Sequence, residues 1–116
     1  MVAKRGTVVV EGLDVIIKRD LDKHKFLLNK NNLDLQAIET ARSHEISRKK
    51  FYTTQKGKRN YNDEAMEKAI AQMNDNIGLY SIQVKSIKES RTFNTNIVDT
   101  LTKQLEDYYK QLSLRN

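Results

Sequence analysis

Two of the 116 residues are His and none is Cys, so metal or nucleophilic chemistry would have to run on imidazole, carboxylate or hydroxyl groups. His44-Glu45 opens like the His-Glu of a zincin helix, but that motif needs a second His at the position held by Arg48. His24 follows Asp20 by one helical turn, the spacing of a surface ion pair, and a zinc site of two His and carboxylates alone is unusual. Asp20 and Asp22 lie two apart and leave a helix on different sides, which does not suit a carboxylate pair. The glycines at 6, 12, 57 and 78 are isolated, without a phosphate-binding fingerprint. No serine sits in a nucleophile-elbow motif. The expectation is a chain that is not an enzyme, with no catalytic residues, no metal and no cofactor.

Charge offers a second chemistry. The chain carries 21 Lys/Arg against 15 Asp/Glu, a net of +6. Residues 1–60 hold 14 of these cations and 7 acids, while residues 61–116 hold 7 and 8. Within residues 42–59 stand Arg42, Arg48, Lys49, Lys50, Lys56, Lys58 and Arg59 against the single acid Glu45, with Phe51, Tyr52 and Tyr61 nearby. Lys and Arg neutralise phosphates, and an exposed ring can stack on a base, so Arg48, Lys49, Lys50, Lys56, Lys58, Arg59 and Tyr52 form a candidate nucleic-acid site. The competing reading is a solvated helix end running into a basic loop, where cations complement the helix dipole and the rings belong to the core.

The third feature is a packing pattern. Met66, Ile70, Met73, Ile77, Tyr80, Val84 and Ile87 are spaced alternately 4 and 3 apart, the a/d spacing of a heptad seam. The phase continues through Arg91 and Asn94 to Val98, Leu101, Leu105, Tyr108 and Leu112, so twelve of fourteen positions are apolar or aromatic. Met66, Met73 and Tyr108 read as packing residues on this seam, with Tyr109 beside it. Such a stripe, once helical, must be covered, and self-association is the expected way.

The elements that would carry these features follow from local signals. Residues 1–6 are a basic, polar start expected to be mobile. Residues 7–11, Thr-Val-Val-Val-Glu, are β-branched and predict a short strand ended by Gly12. A helix is expected from Leu13 through the apolar Ile16, Ile17, Leu21, Phe26, Leu27 and Leu28, stopping at Asn29-Lys30-Asn31-Asn32. A second helix from Leu33 or Asp34 would use Leu35, Ile38, Ala41, Ile46 and Phe51. Residues 53–61 predict a basic loop, and Asn62 a helix N-cap followed by Asp63 and Glu64. Helix is then predicted over 62–113, with a possible break at 90–96, whose Ser, Thr and Asn residues cost a helix ~3 kcal/mol relative to alanine.

One helix of this length would rise ~75 Å, far beyond a compact chain of this size, so either it folds back at 90–96 or the protein is extended and oligomeric. The expected class is mainly α: a helical hairpin or coiled-coil-like C-terminal half with one short N-terminal strand, in a single domain over 1–116. The alternative is α+β, because Tyr80, Ile82 and Val84 alternate with polar residues and would let 79–87 pair with 7–11 in a small sheet. Apolar runs such as Val8–Val10 are far too short to span a bilayer, and no secretory signal is evident. The expected setting is cytoplasmic or within a virion, with no membrane partner.

Residues 6–21, Gly-Thr-Val-Val-Val-Glu-Gly-Leu-Asp-Val-Ile-Ile-Lys-Arg-Asp-Leu, resemble the start of tail-completion or head–tail joining proteins of long-tailed bacteriophages. There, a short strand leads through a Gly-Leu-Asp turn into an amphipathic helix. The helix expected over 97–112 is also of a kind found in that family. The chain has neither the proline nor the Thr-Gly-x-Leu-Arg segment of that family's middle region. The resemblance implies a virion-assembly or connector component, partnered by its own copies or by other assembly proteins.

Overall fold

A computed structural model describes residues 12–56, 58 and 62–115. They form two helices, α1 (Leu13–Gln55) and α2 (Asp63–Arg115), folded as an antiparallel hairpin. Among the described residues there is no strand. The predicted strand at 7–11, the start at 1–6 and part of the predicted loop, Gly57 and residues 59–61, lie outside them.

The helix starts follow from capping. The carbonyl of Gly12 accepts from the amides of Val15 and Ile16, and Asp14 lies in the first turn of α1. The side chain of Asn62 accepts from the amide of Ala65 (3.0 Å), as an N-cap asparagine does, and Asp63 and Glu64 follow it. At the other end α1 runs on through residues 53–55, which shortens the predicted 53–61 loop from its N-terminal side. Thr53 and Thr54 return their hydroxyls to the carbonyls of Lys49 and Phe51.

Three predicted interruptions are absent, each for a packing reason. The Asn29–Asn32 stop does not form: Asn31 donates to the Ser90 hydroxyl across the hairpin (3.2 Å), and Lys30 pairs with Asp34 one turn on (2.8 Å). With Leu28 half-buried and Leu35 buried on either side, tertiary packing overrides the low helix propensity of Asn. The break at 90–96 does not form either. Ser90 receives Asn31, and Asn94, 4 % exposed, meets His24 on α1. The small-sheet alternative fails as well, because 79–87 is helical. A strand would put Tyr80, Ile82 and Val84 on one side, whereas Tyr80 is half-buried, Val84 buried and Ile82 exposed.

The chain divides into two compact units, residues 1–29 with 92–116 and residues 30–91, each containing a stretch of both helices. In the first, Ile17 and Leu21 are buried, and Val98, Leu101, Leu105 and Tyr108 are half-buried. In the second, Leu35, Met73 and Val84 are buried, joined by the buried carboxylate Glu45.

Candidate interaction surfaces

The α2 seam faces inward. Met73 is 2 % exposed. Val84 is also buried, and Met66, Ile70, Ile77, Tyr80, Ile87, Val98, Leu101, Leu105 and Tyr108 are half-buried; Leu112, near the end of the helix, is exposed. The surface that covers them is α1 of the same chain. Within the hairpin the stripe already has a facing surface, although most of its members are only half-buried.

The covering surface is a second heptad seam that apolar periodicity alone does not reveal. On α1 the positions Asp14, Ile17, Leu21, His24, Leu28, Asn31, Leu35, Ile38, Arg42, Glu45, Lys49 and Tyr52 follow an unbroken 3-4 spacing, and every one is buried or half-buried. Half of them are polar. By contrast Leu13, Ile16, Phe26, Ile46 and Phe51, which the sequence suggests for the packed side, are exposed.

The polar members meet partners on α2. In the unit of residues 30–91, Asn76 donates to Glu45 Oε2 (2.9 Å) while Arg48 donates to Glu45 Oε1 (2.6 Å). These two hydrogen bonds, Asn76 first, hold the Glu45 carboxyl below the ordinary glutamate value. The same carboxylate, followed by the Tyr52 hydroxyl, holds the Arg48 guanidinium above its own. In the other unit His24 Nδ1 lies 3.1 Å from Asn94 Oδ1, a hydrogen bond in the tautomer protonated at Nδ1. Nearby, Tyr109 donates to Asp14 (3.2 Å), and Lys18 stands 5.5 Å from the centre of the Tyr109 ring. The Tyr109 hydroxyl raises the Lys18 pKa.

Part of the basic window is engaged internally. Arg48 is held by Glu45, Lys56 reaches Glu67 at the start of α2 (2.8 Å), and Arg42 lies 3.9 Å from Glu39. Lys49 occupies a seam position and is half-buried. Tyr52 is half-buried, in edge contact with Phe51 (5.6 Å between ring centres), and its hydroxyl is turned to Arg48. Lys50, Lys58 and the Phe51 ring remain exposed, and Arg59 lies outside the described residues. Among the described residues of the window, cations with carboxylate neighbours thus stand beside exposed cations and one exposed ring.

Among the described residues, no three His, Asp or Glu side chains gather as metal ligands, and no helix is long and apolar enough to cross a membrane. Several large apolar side chains are also open to solvent. Leu33, Ile46, Phe51, Leu79 and Ile82 are exposed in the unit of residues 30–91, as are Leu13, Ile16, Phe26, Phe93 and Leu114 in the other. In the former unit a shallow groove of about 300 Å³ runs between Asp34, Ala37 and Ile38 of α1 and Gln83, Ser86 and Ile87 of α2. No protein-family model, curated protein or solved structure matches this chain.

Proposed function

We propose that the chain is a non-enzymatic helical interaction protein, a hairpin that completes its packing against another helical surface. One observation carries this reading: among the described residues five apolar side chains are buried, while thirteen large apolar side chains stand exposed. Scattered apolar residues on a surface are ordinary, but here the exposed ones outnumber the core. A pair of helices offers each core residue only one facing neighbour, and a third or fourth helix would supply the missing contacts. The seam is spent within the chain, so association uses the outer faces.

Self-association, or docking on other assembly proteins, fits the resemblance of residues 6–21 to phage head–tail joining proteins, whose work is structural. The rival, nucleic-acid binding through residues 42–59, keeps Lys50, Lys58 and Phe51 as exposed contacts but has several of its other cations tied to carboxylates. Light scattering on the purified protein from a few to several hundred micromolar tests the proposal. The expected mass rises above the 13.5 kDa of one chain. A constant single-chain mass would refute self-association. Co-purified nucleic acid that is stripped by salt would favour the rival, whose affinity must fall steeply with ionic strength.

A further inference from the structure

The unit of residues 30–91 has, beside its seam, a second face without net charge. On α2 the eight positions from Ala65 to Ser90 in 4-3 spacing, among them Gln72, Leu79, Gln83 and Ser86, hold no ionisable side chain. The α1 strip on the same side contains Lys30, Asp34, Ala37, Arg48 and Phe51. Its charged members are matched at home, Lys30 with Asp34 (2.8 Å) and Arg48 with Glu45 (2.6 Å), which leaves His44 as the other ionisable group on the strip. The two strips share one side, because Asp34 and Ala37 line a single groove with Gln83 and Ser86. The cations Lys50, Lys85 and Lys88 fall on the opposite side of the helix pair.

This face has a protrusion and a recess. Leu79 stands out 59 % exposed, and the groove of about 300 Å³ is centred near residue 85 of α2, about 9 Å further along at 1.5 Å per residue. A knob and a hole offset along one face complement each other under a two-fold rotation about their midpoint, here at Ile82–Gln83. A two-fold interface requires that if one residue meets another, the reverse contact also forms.

We infer that a second copy of the chain docks antiparallel on this face, Leu79 of each copy seated in the groove of the other; the inference rests on the association reading above and names its partner. Charge selects that partner. Two chains of net +6 repel, and they approach most easily where no unmatched cation faces its own image. A polyanion or an acidic protein finds no cation here without an internal partner. The face therefore suits its own copy better than a charged ligand.

The absence of native cysteine makes the geometry directly readable. Gln83→Cys lies beside the proposed axis and is expected to form a covalent dimer under mild oxidation, whereas Lys85→Cys, on the other side, is not. A mixture of Leu79→Cys and Ser86→Cys chains is expected to cross-link with each other in preference to themselves. Leu79→Asp keeps the helical circular dichroism, since the position is exposed, and weakens dimerisation on the order of 100-fold, because two buried leucines are lost at once. If the protein associates but Gln83→Cys cross-links no faster than Lys85→Cys, this geometry is overturned and the association reading stands. If the mass stays that of a monomer at every concentration, both are overturned.

Discussion

Replacing Met73 by alanine separates the surface that holds the hairpin together from the surface it offers to others. Met73 is 2 % exposed, the deepest apolar side chain among the described residues, and truncating a buried methionine costs about 2–5 kcal/mol, the upper end applying where neighbours cannot close the cavity. In a pair of helices each layer of the core is bounded by solvent on both sides, so the helices can draw together and partly fill the gap. The expected loss is therefore about 2–3 kcal/mol, equivalent to a fall of roughly 8–12 °C in Tm for a chain of this size. Leu79→Ala, at an exposed position on the same helix, is expected to change stability by less than ~0.5 kcal/mol. Urea melts followed by helical circular dichroism at a few micromolar, where association is minimal, give both values. Equal effects of the two substitutions would mean that the helices are not paired through the seam, and the division into an inner and an outer surface would fall.

The two polar inlays give sharper outcomes. Asn94→Leu removes the partner of His24 from a buried site and is expected to destabilise by about 1–3 kcal/mol, while the double change His24→Leu with Asn94→Leu recovers most or all of the loss. A double variant as unstable as the single one would show that the pair contributes nothing specific. Glu45 predicts an acid limb. Its pKa is depressed in the folded chain by Asn76 and Arg48, so it contributes stability in full above the ordinary glutamate value and loses it as pH falls through the depressed native one. Glu45→Gln is expected to flatten that part of the stability–pH curve, and an unchanged slope would refute the assignment.

The two helices were differently legible. The α2 pattern can be read directly, because apolar or aromatic side chains fill most of its seam positions and the period stands out from the background. On α1 half of the seam is polar, and the apolar periodicity instead picks out Ile16, Phe26, Ile46 and Phe51, which the structure leaves exposed. The missing signal was the 3-4 spacing itself, counted across His24, Asn31, Arg42 and Glu45 as seam members. A residue-type pattern discards these positions, since each looks like a surface residue until its partner on the other helix is known. The same blindness produced the stop expected at Asn29–Asn32 and the break expected at 90–96. Both segments are poor helix formers alone, and they meet each other across the hairpin through Asn31 and Ser90.

That mutual dependence also bears on why the seam tolerates polar layers. A leucine zipper of the same length would be more stable and far less particular, since any heptad shift restores an apolar match. Glu45 opposite Asn76, and His24 opposite Asn94, restrict that freedom: a slide of one heptad in one direction sets Glu45 against Ala69 and Asn94 against Ile17, and in the other sets His24 against Leu101, leaving a polar seam residue without its partner at a cost of about 1–3 kcal/mol. With one such pair in each of the two units, a register error anywhere along the helices strands at least one of them. A hairpin fixed this way presents Leu79 and the groove beside it at a set spacing. That constant offset is what a symmetric partner must match, and a sliding pair of helices could not provide it.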